Sequence, residues 1–276
     1  MHSLLQVQHW PVPAAAAAVV HSDGRVAGSV GDPNRVFELA SVTKLLVSHG
    51  VLVAVEEGAI ELDQPAGPAG ATVRHLLSHA SGVGFDDREV HASPGTRRIY
   101  SSAGYEILAE TVTAATGIPF PDYLAEAVFE PLGMRATVLA GSAGYAARST
   151  MADLIAFAAE LQAPRLIAPQ TSAAAHAVQF PGLVGLLPGY GIRRPNDWGL
   201  GPEIRGDKQP HWTGTRNSPA TFGHFGQSGT LLWADPRAGV ACVGLTDRPF
   251  GDWAKPRWTA LADAVLAELA GDSAGR

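Results

Sequence analysis

Residues 41–57 read SVTKLLVSHGVLVAVEE, and this stretch limits the fold of the chain more than any other. Apolar residues occupy most faces of a helix drawn through it, until two glutamates precede Gly58. A helix that is apolar nearly all round must be buried, since a surface helix carries only one apolar stripe. The segment therefore predicts a central helix that packs inside a core and stops at Gly58.

Strand patterns occur at both ends of the chain, and helical patterns lie between them. The spacing of apolar residues predicts strands at 14–20, 26–30, 198–205, 221–233 and 239–246. Helical patterns occur at 73–79, 102–116, 122–129, 154–161 and 258–269. This order does not fit repeated βαβ units. It predicts an α+β fold in which helices flank an antiparallel sheet.

The same order predicts the domain organisation. Residues 1–58 and 196–276 are expected to form one discontinuous α/β sheet domain, because strands from both ends would pair in a single sheet. Residues 59–195 are expected to form a mostly helical domain inserted between them, with the active site between the two. A length of 276 residues, 46% of them hydrophobic, is enough for one large domain or two closely joined ones.

Charge, cysteine content and the N-terminal sequence exclude several classes of protein. The formal net charge is -6, so a basic surface for nucleic acid is not indicated. The single cysteine, Cys242, cannot form an internal disulfide and lies in an apolar run. No lysine or arginine precedes the first apolar run, which is also too short to span a membrane. We therefore expect a cytoplasmic protein with neither nucleic acid nor membrane as a partner.

Ser41 and Lys44 stand three residues apart at the start of the predicted central helix. Residues i and i+3 share a helix face, so the lysine amine can approach the serine hydroxyl. A serine needs a neighbouring base to become a good nucleophile, and burial can lower the pKa of a lysine enough for that task. The pair is a candidate nucleophile and base, although a capping serine beside a surface lysine would give the same pattern.

Two further motifs contain residues that could act with this pair. Tyr100 directly precedes the helix predicted at 102–116, and a tyrosine near a cationic lysine can lose its proton more easily. The segment GHFGQSG at 223–229 lies at a predicted strand, where glycines let a ligand approach the backbone closely. Taken separately, a core tyrosine before capping serines and an ordinary β-bulge are the simpler explanations.

Metal and cofactor motifs are not supported by the sequence. His75 and His79 have the i, i+4 spacing of helical zinc ligands, but positions 76 and 77 are both leucine, so the HExxH glutamate is missing. Neither G-x-G-x-x-G nor a P-loop occurs, and the G-x-S-x-G elbow of α/β-hydrolases is missing too. We expect neither a metal nor a cofactor.

Taken in chain order, the motifs resemble those of one family. The segments FELASVTK (37–44), HLLSHASG (75–82), YSSAGY (100–105) and EPLGM (130–134), followed by a His-x-Gly strand at His224, are similar to signatures of class C beta-lactamase-related serine hydrolases. These belong to the beta-lactamase and penicillin-binding-protein-like superfamily. The resemblance runs from Ala14 to Leu269. It implies a beta-lactamase/transpeptidase-like fold and a two-step acyl transfer that needs no metal or organic cofactor.

The resemblance also implies a role for each matching residue. Ser41 would be the acylated nucleophile, Lys44 would hold its proton or tune the field around it, and Tyr100 would be the general base and the acid toward the leaving group. The backbone N–H groups of Ser41 and Gln227 would form the oxyanion hole. Four further residues would contact the substrate: Ser102, His224, Phe225 and Gly226.

Two of these positions depart from the family pattern. Ser102 stands where an asparagine amide usually contacts the lysine and the substrate, which puts recognition of an amide in doubt. His224 stands in place of a lysine, and a neutral histidine suits an uncharged ester better than the carboxylate of a beta-lactam. We therefore expect a serine hydrolase that cleaves small esters or amides through an acyl-Ser41 intermediate.

Other functions remain open on the same residues. A beta-lactamase, a D-aminopeptidase or a transacylase could use this machinery on a small ester, amide or lactam. A non-catalytic descendant that binds a ligand or a partner protein in the same cleft is the alternative from another class, and Ser102 is the reason to consider it. A pure binding site would not need Ser41, Lys44 and Tyr100 together. The sequence leaves the oligomeric state open.

Overall fold

The computed structural model describes residues 1–274. Within them, the strands are β1 (Ala15–His21), β2 (Val26–Val30), β3 (Phe37–Glu38), β4 (Val138–Leu139), β5 (Ala147–Ser149), β6 (Gly185–Leu187), β7 (Gly191–Arg193), β8 (Glu203–Ile204), β9 (Phe222–Gly226), β10 (Thr230–Asp235) and β11 (Val240–Thr246). The α-helices are α1 (Thr43–Glu56), α2 (Val73–Leu77), α3 (Ala103–Thr116), α4 (Phe120–Leu124), α5 (Met151–Gln162), α6 (Pro169–Ala175) and α7 (Ala254–Ala274). A 3-10 helix covers His2–His9, and a 3-10 turn covers Ala40–Val42.

The two ends of the chain meet in one six-stranded antiparallel sheet of order β2-β1-β11-β10-β9-β8. Strand β1 pairs with β11 over its full length, from Ala15 opposite Thr246 to His21 opposite Val240. Both strands are buried along most of their length, which explains their unbroken apolar runs. The predicted α+β fold, with strands from both ends in one antiparallel sheet, is confirmed.

Helix α1 lies at the centre of the larger apolar core, as its sequence predicts. Its residues from Thr43 to Ala54 are all buried. Gly50 lets a neighbouring element approach closely, since a Cβ at this position would lie 2.6 Å from a methyl carbon of Leu124. The helix ends before Gly58, which has a φ of +73°. An L-residue with a side chain would be strained in that conformation.

The sheet separates two apolar clusters. On one face it packs against the larger core, which contains α1 and α5. On the other face, the N-terminal 3-10 helix and α7 form a second cluster with tryptophans such as Trp212, Trp233 and Trp258. Cys242 is buried in this second cluster, as expected for a small apolar side chain.

Two strand predictions were wrong at glycine positions. Residues 198–205 do not form one strand, because the chain turns at Gly201 (φ +118°) and Pro202 and leaves only β8 beyond the turn. Residues 221–233 likewise form a hairpin of β9 and β10, and Gly229 (φ +86°) lies in the turn between them. Gly and Pro are the residues that turns require, so the sequence contained this signal.

The helices between the strands largely follow their sequence signals. Thr150 caps α5, since its side-chain oxygen accepts a hydrogen bond from the Asp153 backbone N–H at 3.2 Å. Helix α3 ends at Gly117, which is left-handed. The helix predicted at 122–129 begins earlier, at Phe120, and its last residues adopt a π-helix over Ala125–Phe129.

Short strands also occur in the region expected to be mostly helical. Strands β4 and β5 join β3 in a three-stranded sheet, and β6 and β7 form a separate hairpin. The division of the chain into a sheet domain and an inserted domain at residues 59–195 stays a prediction. Across the described residues, none of the helices combines the length and apolarity needed to cross a bilayer.

Candidate active site

Ser41 lies in the short 3-10 turn that leads into α1. The turn is held from behind, because the Thr230 hydroxyl donates a 2.8 Å hydrogen bond to the Leu39 carbonyl. The preceding residue, Ala40, has a φ of +45°, which is unusual for a residue with a side chain. Strained backbone of this kind concentrates at functional sites, where the surrounding structure fixes it.

Gly226 at the end of β9 lets that strand pack directly against the serine turn. A Cβ at Gly226 would lie 2.3 Å from the Leu39 carbonyl oxygen and 3.1 Å from the Ala40 Cβ. A Cβ contact of 2.3 Å with a backbone oxygen essentially never occurs in proteins, so any larger residue would force the strand or the serine turn to shift. The dense glycines of the 223–229 segment therefore bring β9 close to the backbone around Ser41.

Lys44 is the second residue of α1, three positions after Ser41, and its side chain is fully buried. Its ammonium group donates hydrogen bonds to the Gly144 carbonyl at 2.7 Å and to the Ser102 hydroxyl at 3.1 Å. It also lies 4.6 Å from the centre of the Tyr100 ring. Burial lowers the pKa of Lys44 to about 7, and the charge of Glu106 opposes that shift. The site therefore contains an amine that is partly neutral near pH 7 and lies over the Tyr100 ring.

Tyr100 lies between Ser41, His224 and Lys44. Its hydroxyl is 3.4 Å from His224 Nε2, and Tyr100 and Ser41 line the same cavity. Burial raises the pKa of Tyr100 well above its ordinary value, and the influence of the Ser41 side chain offsets only part of that rise. The expectation that the nearby lysine eases loss of the tyrosine proton therefore does not hold, because burial outweighs it. The tyrosine hydroxyl is better suited to relay a proton than to hold a negative charge.

His224 on β9 is held as a neutral imidazole. Its Nδ1 lies 2.7 Å from the Phe225 carbonyl oxygen, which can only accept, so the proton lies on Nδ1. Burial lowers the pKa of His224 to about 3, and the charge of Lys44 lowers it further. Nε2 is then free to accept a hydrogen bond from the Tyr100 hydroxyl. At neutral pH, His224 presents no positive charge to a bound molecule.

Gln227 is the first residue after β9. The Gly226 carbonyl accepts a 3.0 Å hydrogen bond from the Gly229 N–H, inside the β9–β10 turn. In a trans peptide the C=O and N–H point in opposite directions, so the Gln227 N–H points out of that turn. Gln227 and Ser41 line the same cavity. Their roles as a pair of oxyanion donors stay a prediction.

A cavity of about 130 Å³ brings most of the predicted site residues together. Ser41, Tyr100, His224, Phe225 and Gln227 line it, and its other walls are Phe85, Leu187, Pro188, Trp198 and Glu203. Ser102 and Gly226 lie behind it, where they contact Lys44 and the serine turn. The arrangement places a serine hydroxyl in a small, mainly apolar pocket with a proton-accepting group behind it.

A family model described as Beta-lactamase matches residues 6–266. The chain belongs to the beta-lactamase family. It is 57% identical to a crystal structure named as a beta-lactamase from Mycobacterium bovis, with a TM-score of 0.95, covering 97% of this chain and 99% of that one. The family is of the serine hydrolase and acyl-transfer type.

Two curated relatives of this beta-lactamase-family chain match over shorter regions. Penicillin-binding protein 4* of Bacillus subtilis is 27% identical over 38% of this chain and 30% of its own length. Esterase EstB of Burkholderia gladioli is 28% identical over 40% of this chain and 40% of its own length. The matches therefore span less than half the length of these two relatives.

Sequence reasoning missed Glu203, a cavity-lining carboxylate that is 2% exposed. It forms a 2.7 Å ion pair with Lys208, and it accepts hydrogen bonds from His211 and Trp212. Burial alone would raise the pKa of Glu203, but the charges of Lys208 and His211 hold it well below its usual range. No rule of sequence spacing links Glu203 to its three partners. The only signal in the sequence was an acidic residue in an apolar setting.

His79, which belongs to the HLLSHASG segment, lies beside Tyr100. Its Nδ1 accepts a 3.1 Å hydrogen bond from the Ser101 N–H, and its ring packs 4.6 Å from both Tyr100 and Trp198. His75 instead contacts Thr72 at 2.8 Å. The two histidines therefore do not converge as ligands. The backbone of His79 has a φ of +57°, and in this conformation its ring packs against the Tyr100 ring.

One group of side chains has the composition of a metal site. Asp87, Glu89 and His91 bring potential ligand atoms within 4.8 Å of one another, and all three are exposed. Exposed carboxylates and histidines often cluster in this way without an ion. The group lies outside the residues that line the cavity at Ser41.

Proposed function

We propose that this protein is a serine hydrolase that cleaves small uncharged esters through an acyl-Ser41 intermediate. The observation that supports this most is Lys44, a fully buried amine beside Tyr100 whose pKa is lowered to about 7. With that pKa, about half of the molecules hold a neutral amine at pH 7. A neutral amine can accept the proton that a nucleophilic serine must lose.

In the acylation step that we propose, these groups act in the following order. The Ser41 oxygen attacks the ester carbonyl carbon, and its proton passes through the Tyr100 hydroxyl toward Lys44. The carbonyl π electrons move to the oxygen, where the N–H groups of Ser41 and Gln227 would stabilise the negative charge. When this intermediate collapses, the C–O bond to the alcohol breaks and the alcohol leaves with the relayed proton. Tyr100 serves as the relay, because its raised pKa keeps it protonated at rest.

Deacylation repeats the sequence with water. A water molecule gives a proton to the Tyr100 and Lys44 pair as it attacks the acyl carbon, and the released Ser41 oxygen takes that proton back. The products are a carboxylic acid and free enzyme. If an alcohol replaces water in this step, the same machinery becomes a transacylase.

The charge of the cavity supports an uncharged substrate. His224 is neutral, and the carboxylate of Glu203 is paired with Lys208. Lys44 is capped by Ser102 and Gly144 and lies behind the cavity. A substrate carboxylate would therefore meet no free cation among the lining residues. The similarity to an esterase of Burkholderia gladioli agrees with this proposal.

A beta-lactamase activity is the second candidate. One observation favours it, namely the 57% identity to a Mycobacterium bovis protein named as a beta-lactamase. A lactam would acylate Ser41 in the same way, but its carboxylate would lack the cationic partner described above. Comparing the hydrolysis of p-nitrophenyl esters with that of a cephalosporin separates the two candidates.

Intact-protein mass spectrometry with a fluorophosphonate probe tests the nucleophile. We expect a single adduct on the wild type that maps to Ser41, is lost in Ser41→Ala and forms much more slowly in Tyr100→Phe. Ser22→Ala is the matched control, because Ser22 is an exposed serine in the turn between β1 and β2 and should leave labelling unchanged. A folded wild-type protein that forms no adduct would contradict the proposal and favour a binding role.

A further inference from the structure

Lys44 differs from the other two lysines of the chain in its charge partners. Lys208 and Lys255 form ion pairs with Glu203 and Asp252. Among the side chains that the structure describes, no carboxylate oxygen lies within 4.0 Å of the Lys44 nitrogen. A buried ammonium without a paired anion is costly, so its protonated form must be supported from further away.

The groups that face Lys44 supply little negative charge. The rings of Tyr100 and Tyr105 lie 4.6 Å and 5.3 Å from its nitrogen, and these side chains are neutral. The histidines His79 and His224 are buried, and the charge of Lys44 lowers the pKa of both. Arg98 adds positive charge on the His79 side. The negative charge that acts on Lys44 comes from Glu106 on α3.

Three hydrogen bonds and the backbone of Gly144 link Glu106 to Lys44. The Ser142 hydroxyl donates to the Glu106 carboxylate, and the Gly144 N–H donates to the Ser142 oxygen at 3.1 Å. The Gly144 carbonyl then accepts from the Lys44 ammonium at 2.7 Å. Each acceptor in this chain faces a donor, so the carboxylate and the ammonium lie at its two ends.

The loop that carries this chain is fixed against the site. The N–H groups of Tyr145 and Ala146 both donate to the Ser142 carbonyl, at 3.2 Å and 2.9 Å. Gly144 packs directly on Ser102, since a Cβ at Gly144 would lie 2.7 Å from the Ser102 Cβ. Ser142 and Ser102 therefore set the position of the Gly144 carbonyl to which Lys44 donates.

We propose that Glu106 is a positioning residue that acts through Ser142 and Gly144 to hold the Lys44 amine and to supply the negative charge facing it. This inference rests on the proposed function, because Lys44 is taken as the base that activates Ser41. Ser102 is shorter than the usual asparagine of the family, and the Gly144 carbonyl provides the second acceptor that Lys44 needs.

Glu106→Gln tests the proposal through the pH dependence of acylation. The carboxylate favours the ammonium form, so its loss shifts the midpoint of the pH–rate profile to lower pH, by at least about half a unit. Because Lys44 and Tyr100 exchange protons, the midpoint belongs to the pair. Glu110→Gln is the matched control, since Glu110 lies one turn further along α3 and pairs with the exposed Arg88. We expect the wild-type midpoint in Glu110→Gln.

Ser142→Ala provides a second variant that keeps the carboxylate. It cuts the hydrogen-bond chain, so we expect a shift in the same direction and of smaller size. A Glu106→Gln protein that labels with the fluorophosphonate at the wild-type midpoint would overturn the inference. If Glu106→Gln does not fold, the midpoint of Ser142→Ala decides in the same way. Failure of the wild type to label would instead overturn the proposed function.

Discussion

The Lys44 ammonium donates a 2.7 Å hydrogen bond to the backbone carbonyl of Gly144, which lies one hundred residues further along the chain. This contact holds Lys44, the proposed base, in a buried position that depends on tertiary structure. Burial lowers the pKa of Lys44 to about 7, which corresponds to a cost of about 5 kcal/mol for the ammonium form relative to water. Burial of this ammonium therefore lowers the stability of the fold, a cost that the proposed role of Lys44 in acylation would explain.

Lys44→Met should abolish acylation and raise the free energy of unfolding at pH 7 by about 1–3 kcal/mol. The unfolded lysine stays protonated up to its ordinary pKa near 10.5, whereas the folded one loses its proton near 7. The stability of the wild type therefore rises with pH between these two values. The extra stability of Lys44→Met over the wild type is largest below pH 7, where the folded wild type holds a buried ammonium. Two lost hydrogen bonds reduce the gain. Urea unfolding at pH 6, 7 and 9 measures it.

The exposed Lys255 provides the control for this comparison. Lys255→Met removes a lysine that pairs at the surface with Asp252, so the free energy of unfolding should change by less than about 0.5 kcal/mol. A Lys44→Met protein that is less stable than the wild type at pH 6 would show that burial of the ammonium is not costly here.

The acylation rate should rise by about tenfold between pH 6 and pH 8. A base with a pKa near 7 is mostly protonated at the lower pH and mostly neutral at the higher one. In the proposed mechanism Lys44 and Tyr100 exchange protons, so the apparent pKa values belong to the pair. The rise should therefore be broad. Stopped-flow acylation with a p-nitrophenyl ester measures it, and a flat profile from pH 6 to 9 would exclude this proton exchange.

Gly226→Ala should destabilise the protein by about 2–4 kcal/mol and reduce acylation of Ser41. The new Cβ would meet the Leu39 carbonyl oxygen at 2.3 Å, so β9 or the serine turn must shift. Gly251→Ala is the control, because a Cβ there meets only a Trp253 ring carbon at 3.9 Å. Equal melting temperatures for the two variants would show that the serine turn tolerates a shift of β9.

The sequence predicted the parts of this site that depend on local pattern. Ser41 and Lys44 share the start of a helix that is apolar all round, and such a helix can only be central. Tyr100 and His224 were identified by motif resemblance, and the structure brings both to the cavity beside Ser41. Their roles in catalysis stay predictions that the labelling experiment tests.

The sequence could not predict the parts that depend on distant contacts. The chain from Glu106 through Ser142 to Gly144 joins a helix to a loop, and no spacing rule connects these positions. Glu203 belongs to a two-residue strand that pairs with β9, and its partner Lys208 comes from the loop that follows. The missed turn at Gly201 is different, since glycine followed by proline is a readable signal there.

Substrate charge preference should depend on His224. We expect the wild type to cleave a dimethyl ester of a dicarboxylic acid at least about tenfold faster than the corresponding monoester, because a desolvated carboxylate finds no cation in the cavity. His224→Lys places an ammonium on β9 and should narrow that ratio. The ratio of kcat/KM for the matched esters measures this effect. A wild type that prefers the charged monoester would contradict the neutral-substrate proposal.

Acidification should destabilise the protein below pH 6.5, in part through His176. This ring stacks on Phe222 with centroids 3.6 Å apart, and burial lowers its pKa to about 3. Between pH 6.5 and 3 the unfolded histidine binds a proton that the folded one does not, so stability falls as the pH falls. His176→Phe keeps an aromatic ring against Phe222. Between pH 7 and pH 5, this variant should lose about 1–2 kcal/mol less free energy of unfolding than the wild type. Urea unfolding of the wild type and of His176→Phe at the two pH values measures this difference, and equal losses would place the acid-sensitive group elsewhere.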